Sequence, residues 1–252
     1  MQAAGYLKGR PRALYVLDYG LFKVHANDRV IGICGYLIST DADEWVLVDT
    51  GFPKKYAVDT AAAAREDYLG AFGEVLVCGP QNMPCAQMGR VGVTPDKLCL
   101  HIVTHTHIDH IGHLGAFPEL PILISKSERA LPKPLYWGAV QPMDWPDQAY
   151  LEVAEDTSLG AGFEILMAPG HAPGQIAILL DLPLTGSILL TSDAISRPQE
   201  IEDRFVGSWD APSAVKSAER LMRLAAARQA FVIYGHSPEQ WESLRKAPAG
   251  YF

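Results

Sequence analysis

The stretch His105-Thr106-His107-Ile108-Asp109-His110 decides the reading of this chain. It follows directly on the apolar run 98–103 (LCLHIV), whose composition predicts a buried strand. Three histidines and one aspartate within six residues make a dense set of imidazole and carboxylate donors. Such donors suit a divalent metal, Zn first and Fe, Mn or Co as alternatives. A closed structural zinc site needs four ligands, usually with cysteine; this segment has no cysteine and more donors than one tetrahedron uses. The pattern therefore points to an open catalytic site with two ions. A solvent-facing His cluster without an ion would not explain its place at the end of an apolar strand.

Working outward, the same placement recurs three times. The run 163–167 (FEILM) is followed by Pro169-Gly170-His171, the run 187–192 (SILLTS) ends at Asp193, and the run 231–234 (FVIY) leads into Gly235-His236. Upstream, the run 45–48 (WVLV) ends in the turn signal Asp49-Thr50-Gly51. Any one of these is more often a capped turn or a hydrogen-bonded histidine. Three repeats beside the first cluster define a candidate metal set of His105, His107, Asp109, His110, His171, Asp193 and His236.

The other elements follow from periodicity. Strands are expected over 13–17, 31–38, 121–125 and 175–180, with a hairpin or loop over 18–29. A helix is expected over 58–69, where Ala and charged residues dominate, an irregular loop over 78–92, and a helix start at Thr94-Pro95. The clearest helix is 211–227, capped by Asp210, with an apolar stripe of Val215, Ala218, Leu221, Met222 and Ala225. The segment 131–147 holds Pro132, Pro134, Pro142 and Pro146 with Trp137 and Trp145, and reads as a substrate wall, a lid or an oligomer contact. The element order gives two halves of strands followed by helix, with no linker between them, hence one domain over 1–252.

Composition narrows the function classes. The chain has 252 residues, 48 % hydrophobic, with a net charge of -8, which is that of a globular protein rather than a disordered one. No Lys/Arg cluster marks a nucleic-acid surface, and no apolar stretch is long enough to span a bilayer. The first residues carry basic side chains with no apolar core behind them, so a cytoplasmic protein without a signal peptide is expected. Cys34 and Cys99 fall in apolar runs; Cys78 and Cys85 flank a Gly/Pro-rich loop, where a disulfide is one option and free thiols the other.

The motifs Val48-Asp49-Thr50-Gly51, THTHIDHIGH (residues 104–113), Pro169-Gly170-His171, Asp193 and Gly235-His236, in that order, resemble the metallo-β-lactamase superfamily across nearly the whole chain. The resemblance implies an α/β fold, a four-layer αβ/βα sandwich with the site at the edge of two sheets. It implies two divalent ions: His105, His107 and His171 on the first, Asp109, His110 and His236 on the second, Asp193 bridging, and Asp49 orienting a ligand from behind. Hydrolysis by attack of an activated hydroxide follows, with Asp109 or Asp193 relaying the proton.

Within the superfamily, LVDTGFP, APGHAPGQ, LLTSDA and YGHSPEQ are most similar to the N-acyl homoserine lactone lactonases and related lactone hydrolases. This implies a quorum-quenching lactonase acting on a small molecule; composition leaves no nucleic-acid or membrane partner, and the Pro/Trp-rich segment with the apolar N-terminus leaves room for a homodimer. The alternatives on the same site are another lactone or small ester, then a β-lactam, thioester or phosphodiester. Those lactonases carry a Tyr three positions after the bridging Asp; this chain has Ser196 there. Another donor must then substitute, with Tyr19, Tyr36, Tyr136 and His25 as candidates, or the substrate differs. The expected substrate contacts are His25, Tyr136, Trp137 and Ser196, with Met143 and Trp145 in the apolar wall. His113 is a further departure, expected behind the ligands or in the pocket lining, and His101 is expected to be a hydrogen-bonded core residue.

Overall fold

The computed structural model describes residues 2–252. Its strands are β1 Pro11–Val24, β2 Arg29–Thr40, β3 Trp45–Val48, β4 Gly73–Val77, β5 Leu98–Ile102, β6 Ile122–Ser125, β7 Tyr150–Val153, β8 Thr157–Gly160, β9 Phe163–Met167, β10 Ile176–Leu182, β11 Gly186–Ser192 and β12 Phe231–Tyr234. They form two mixed sheets, in the orders β4-β1-β2-β3-β5-β6-β7 and β12-β11-β10-β9-β8. The first is antiparallel around β1, β2 and β3 and parallel from β3 to β7.

Strand alternation sorts the apolar side chains into three cores, and three cores make four layers. Val46 and Val48 face the space between the sheets, with Ile102, Leu123, Ile178, Leu190 and Ile233. Leu47, between them in sequence, points to the other face, where it packs with Tyr56, Ala63, Met88, Ile122 and Ile124. In the second sheet Leu179 and Leu189 turn outward onto Ala218 and Leu221 of the long helix Ala211–Arg228. Sheets covered on both faces require continuous apolar strands, which is why WVLV, ILIS and SILLTS lack a polar alternation. The αβ/βα sandwich is thus as expected.

Several local expectations need correction. Of the hairpin or loop expected over 18–29 the hairpin is found, but it is mostly strand: residues 18–24 extend β1, and the turn is confined to residues 25–28. A bulge at Asp18/Gly20 breaks the alternation that a sequence reading relies on. Gly20 is required there, since at φ +119 a Cβ would fall 1.8 Å from the Val77 carbonyl oxygen. The helix expected over 58–69 is two short helices, Lys55–Val58 and Thr60–Glu66, separated where Asp59 turns extended and accepts from the Ala62 N–H. The expected loop 78–92 contains the helix Pro84–Gly89, and Thr94 begins only one 3-10 turn, Pro95–Lys97. All four cysteines are free thiols, so the Cys78–Cys85 disulfide option is not realised. Among the described residues no helix is long and apolar enough to cross a membrane.

Candidate metal centre

The predicted ligands, scattered over 132 positions of sequence, meet at one edge of the two sheets. His105, His107, Asp109 and His110 lie on the turn after β5, His171 on the turn after β9, Asp193 after β11 and His236 after β12. Three overlapping groups converge within ligand distance: His105, His107 and His171; His105, His110 and Asp193; Asp109, His110 and His236. In the first, Nδ1 of His107 lies 3.0 Å from Nε2 of His105 and 2.9 Å from Nε2 of His171. Tetrahedral zinc with its usual bond length to imidazole would set such edges at about 3.3 Å, so the trio needs only a slight opening.

Asp193 faces both sides of the site. Its Oδ2 is 3.4 Å from His171 Nε2, while its Oδ1 is 3.1 Å from His236 Nε2 and 3.4 Å from His110 Nε2. Asp109 Oδ2 completes the second group, 3.4 Å from His236 Nε2 and 3.7 Å from His110 Nε2. The polar atoms His110 Nε2, His236 Nε2 and Asp193 Oδ1 are buried and face only one another, with no well-aligned hydrogen bond to the protein around them. Converging buried donor atoms left unpaired are costly unless a cation satisfies them, and the donor set fits divalent metal.

The hydrogen bonds behind the ligands aim them. Asp49, at φ +55, accepts from Thr104 N–H with Oδ1 (2.9 Å) and from Thr104 Oγ1 (2.7 Å) and His110 Nδ1 (2.8 Å) with Oδ2. This holds the proton on Nδ1 and turns Nε2 to the site. His236 Nδ1 donates to the Gly32 carbonyl (2.9 Å) with the same effect. Gly235 has no room for a side chain: a Cβ would sit 2.8 Å from Asp193 Oδ1.

Charge separates the two groups. Burial, then the other histidines around it, holds His105 well below its usual range. His107 is pushed down to about 3 by burial and by His171, and His171 is also lowered, burial again leading. Against the same burial, the carboxylates of Asp109, Asp49 and Asp193 raise His110, and Asp193 and Asp109 hold His236 up at about 9. The first trio is thus neutral near pH 7, and the second pair is protonated until something displaces the protons.

A cavity of about 500 Å³ opens over the site. One wall is a chain of aromatic rings, Phe52 to Phe22 to Phe72 to Trp137, with centroid separations of 6.0, 5.9 and 4.9 Å. Trp137 and Ser196 line the cavity as expected. His25 does not: it is exposed on the β1–β2 turn, and its backbone N–H is tied to Phe72. Tyr136 does not either; it is buried, and its hydroxyl donates to Asp67 at 2.9 Å. Tyr19 and Tyr36 are also buried outside the lining, the first donating to the Asp49 carbonyl and the second accepting from Cys34 Sγ. Met143 and Trp145 pack into the outer core of the first sheet, so Trp137 is the part of segment 131–147 that reaches the cavity. His113 is half-buried outside the lining, with its backbone N–H on Thr50 Oγ1. His101 is buried as expected, yet its Nε2 has no partner, and burial lowers it to about 4.

Besides the lining residues Phe22, Phe52, Phe72 and Arg29, two buried carboxylates escaped the sequence reading. Buried Glu128 accepts from Thr106 N–H (2.9 Å) and Oγ1 (2.7 Å) with one oxygen and from Gly174 N–H (3.0 Å) with the other, tying the turn of His105 and His107 to that of His171. Buried Asp67 accepts from Lys55 (2.7 Å), Tyr56 (2.9 Å) and Tyr136 (2.9 Å), which anchors the residue before Trp137. Ser125 ahead of Glu128 has the spacing of a capping box, the one sequence signal available.

A profile of the metallo-β-lactamase superfamily matches residues 35–236, which include all seven converging side chains. The chain belongs to the metallo-β-lactamase superfamily. Within it, the chain is 31 % identical over 218 residues to the N-acyl homoserine lactonase AiiA of Bacillus thuringiensis subsp. kurstaki, covering 84 % of each. It is 29 % identical to the N-acyl homoserine lactonase AttM of Agrobacterium fabrum, over 94 % of this chain and 98 % of that one. The fold matches a solved N-acyl homoserine lactone hydrolase with TM-score 0.81 at 24 % identity, over 96 % of this chain and all of that one. A metallo-β-lactamase fold with this kinship is that of a metal-dependent hydrolase.

Proposed function

We propose that this protein uses two divalent ions, zinc first, to hydrolyse a small lactone, with N-acyl homoserine lactones as the leading substrate class. The observation that carries the reading is Asp193, whose two oxygens face two different histidine groups at the floor of a half-apolar cavity. His105, His107 and His171 would hold one ion, Asp109, His110 and His236 the other, and Asp193 both. Bound there, such a pair supplies Lewis acidity and an activated water. The aromatic wall from Phe52 to Trp137 suits an acyl chain. The side chain of Asp109, 17 % exposed beside His236, would pass a proton to the leaving ring oxygen, with the neighbouring Asp193 as the second candidate carboxylate. The names of the relatives support the lactone.

A second reading, a different lactone or small ester, is favoured by Ser196: no tyrosine lines the cavity to take the place of the expected one. The test is hydrolysis of a panel of lactones, esters, a β-lactam, a thioester and a phosphodiester by protein of measured metal content. Lactone opening that stops on chelation and returns with zinc or cobalt is expected. Two bound metals with no turnover of any lactone would refute the assignment.

A further inference from the structure

The cavity lining also contains Arg29, Ser196, Arg197 and Glu200. Two neighbouring guanidinium groups in one cavity stand out in a chain of net charge -8. Arg197 spends one amino group on Asp203 at 3.1 Å, and its Nε is buried without a partner. Glu200 Oε2 accepts from the Ser196 backbone N–H at 2.7 Å. Arg29, at the first position of β2, has no hydrogen bond or ion pair to its guanidinium among the described residues. It is partly buried, and burial followed by the nearby Arg197 disfavours its charge, with only Glu200 opposing.

A partly desolvated guanidinium with five unpaired donors lacks the partner that its charge calls for. Its planar fork takes a carboxylate or a phosphate in two parallel hydrogen bonds; with the Glu200 carboxylate in the same lining, the singly charged carboxylate fits better than a phosphate dianion. We propose that Arg29, beside the open Nε of Arg197, is a specificity-determining residue that holds a carboxylate carried on the substrate's substituent. This rests on the lactone reading and narrows it to lactones that bear such a group. The aromatic wall would then pack against the chain between ring and carboxylate.

The test begins with binding to the metal-loaded protein, which needs no turnover. Calorimetric titration compares succinate, glutarate and adipate with butyrate and with monomethyl glutarate. One carboxylate of each can occupy the metal centre, and only the dicarboxylates offer a second to Arg29. At least one dicarboxylate should bind about tenfold more tightly than butyrate and than monomethyl glutarate, the span of one charge-assisted pair. Arg29→Gln should abolish that preference, and Arg29→Lys, which keeps the charge, should retain part of it. On lactones, Arg29→Gln should lower the ratio of kcat/KM for N-glutaryl over N-hexanoyl homoserine lactone about tenfold. Monomethyl glutarate binding as tightly as every one of the three dicarboxylates, or a dicarboxylate preference that survives in Arg29→Gln, overturns the proposal. A dicarboxylate preference lost in Arg29→Gln, together with no hydrolysis of any lactone, would refute the lactone reading and leave carboxylate recognition by Arg29 supported.

Discussion

Oδ2 of Asp49 lies 2.8 Å from Nδ1 of His110, and the same oxygen accepts from the Thr104 hydroxyl at 2.7 Å. The carboxylate therefore fixes which ring nitrogen of His110 carries the proton and which is free for a metal. Asp49→Asn tests this with little backbone disturbance, because Asn also tolerates the left-handed φ of +55. With its carbonyl oxygen kept on Thr104 N–H, the new amide would donate to Nδ1 and move the proton to Nε2. On the proposed two-ion reading, affinity for the second ion should fall by about 10–100-fold, while the ion assigned to His105, His107 and His171 is nearly unaffected. Equal losses at both sites in a metal titration would refute the assignment.

Glu128 is expected to matter for stability as well as for metal. Glu128→Gln puts an NH2 where an oxygen now accepts from Thr106 or Gly174, so a buried N–H loses its partner. The cost is about 1–3 kcal/mol, or roughly 2–12 °C in melting temperature for a chain of this size. A thermal scan of the metal-free variant reads this directly, and an unchanged midpoint would count against the bridge.

The two tryptophans of segment 131–147 should separate. Trp137→Ala removes a cavity wall and should raise KM for a long-chain lactone about tenfold with kcat nearly kept, as for loss of uniform binding. Trp145, which donates from Nε1 to the Leu131 carbonyl (2.8 Å) and lies against Arg129 and Tyr150, should on truncation lower the melting temperature and leave chain-length preference intact. Steady-state kinetics over several chain lengths distinguishes them.

Metal uptake should be asymmetric in protons. The first trio is already neutral at pH 7, its histidines lowered chiefly by burial. His110 and His236 are raised by their carboxylates, His236 to about 9, so a metal must displace their protons. A raised pKa means tighter proton binding, so second-site affinity weakens as pH falls below about 9, while first-site affinity stays flat down to the lowered values. Calorimetry at pH 7 in buffers of different ionisation enthalpy should show about two protons released with the second ion and about none with the first. Equal release at both steps would contradict this.

The bulge at Asp18/Gly20 shows why β1 was only half legible: pattern reading assumes period two, and one inserted residue shifts every later side chain to the other face. Tyr136 and Trp137 look alike as wall residues in sequence, yet consecutive side chains point to opposite sides, one to Asp67 and one to the cavity. His25 looked available because polar loops often approach such sites, but the hairpin carries it outward and brings Arg29 to the wall instead.

The sequence by itself determined the candidate donor set and the layers. Ligand chemistry is local, with four donors in six residues and three more at the ends of apolar strands. Strands that are apolar on both faces must be covered on both faces. Only the tertiary structure decided which distant groups share a wall. Glu128 meets Gly174 46 positions away, Asp67 meets Tyr136 69 positions away, and Arg29 lines one cavity with Arg197. Such pairings depend on how the two sheets stack and where each turn projects, and no spacing along the chain encodes that directly.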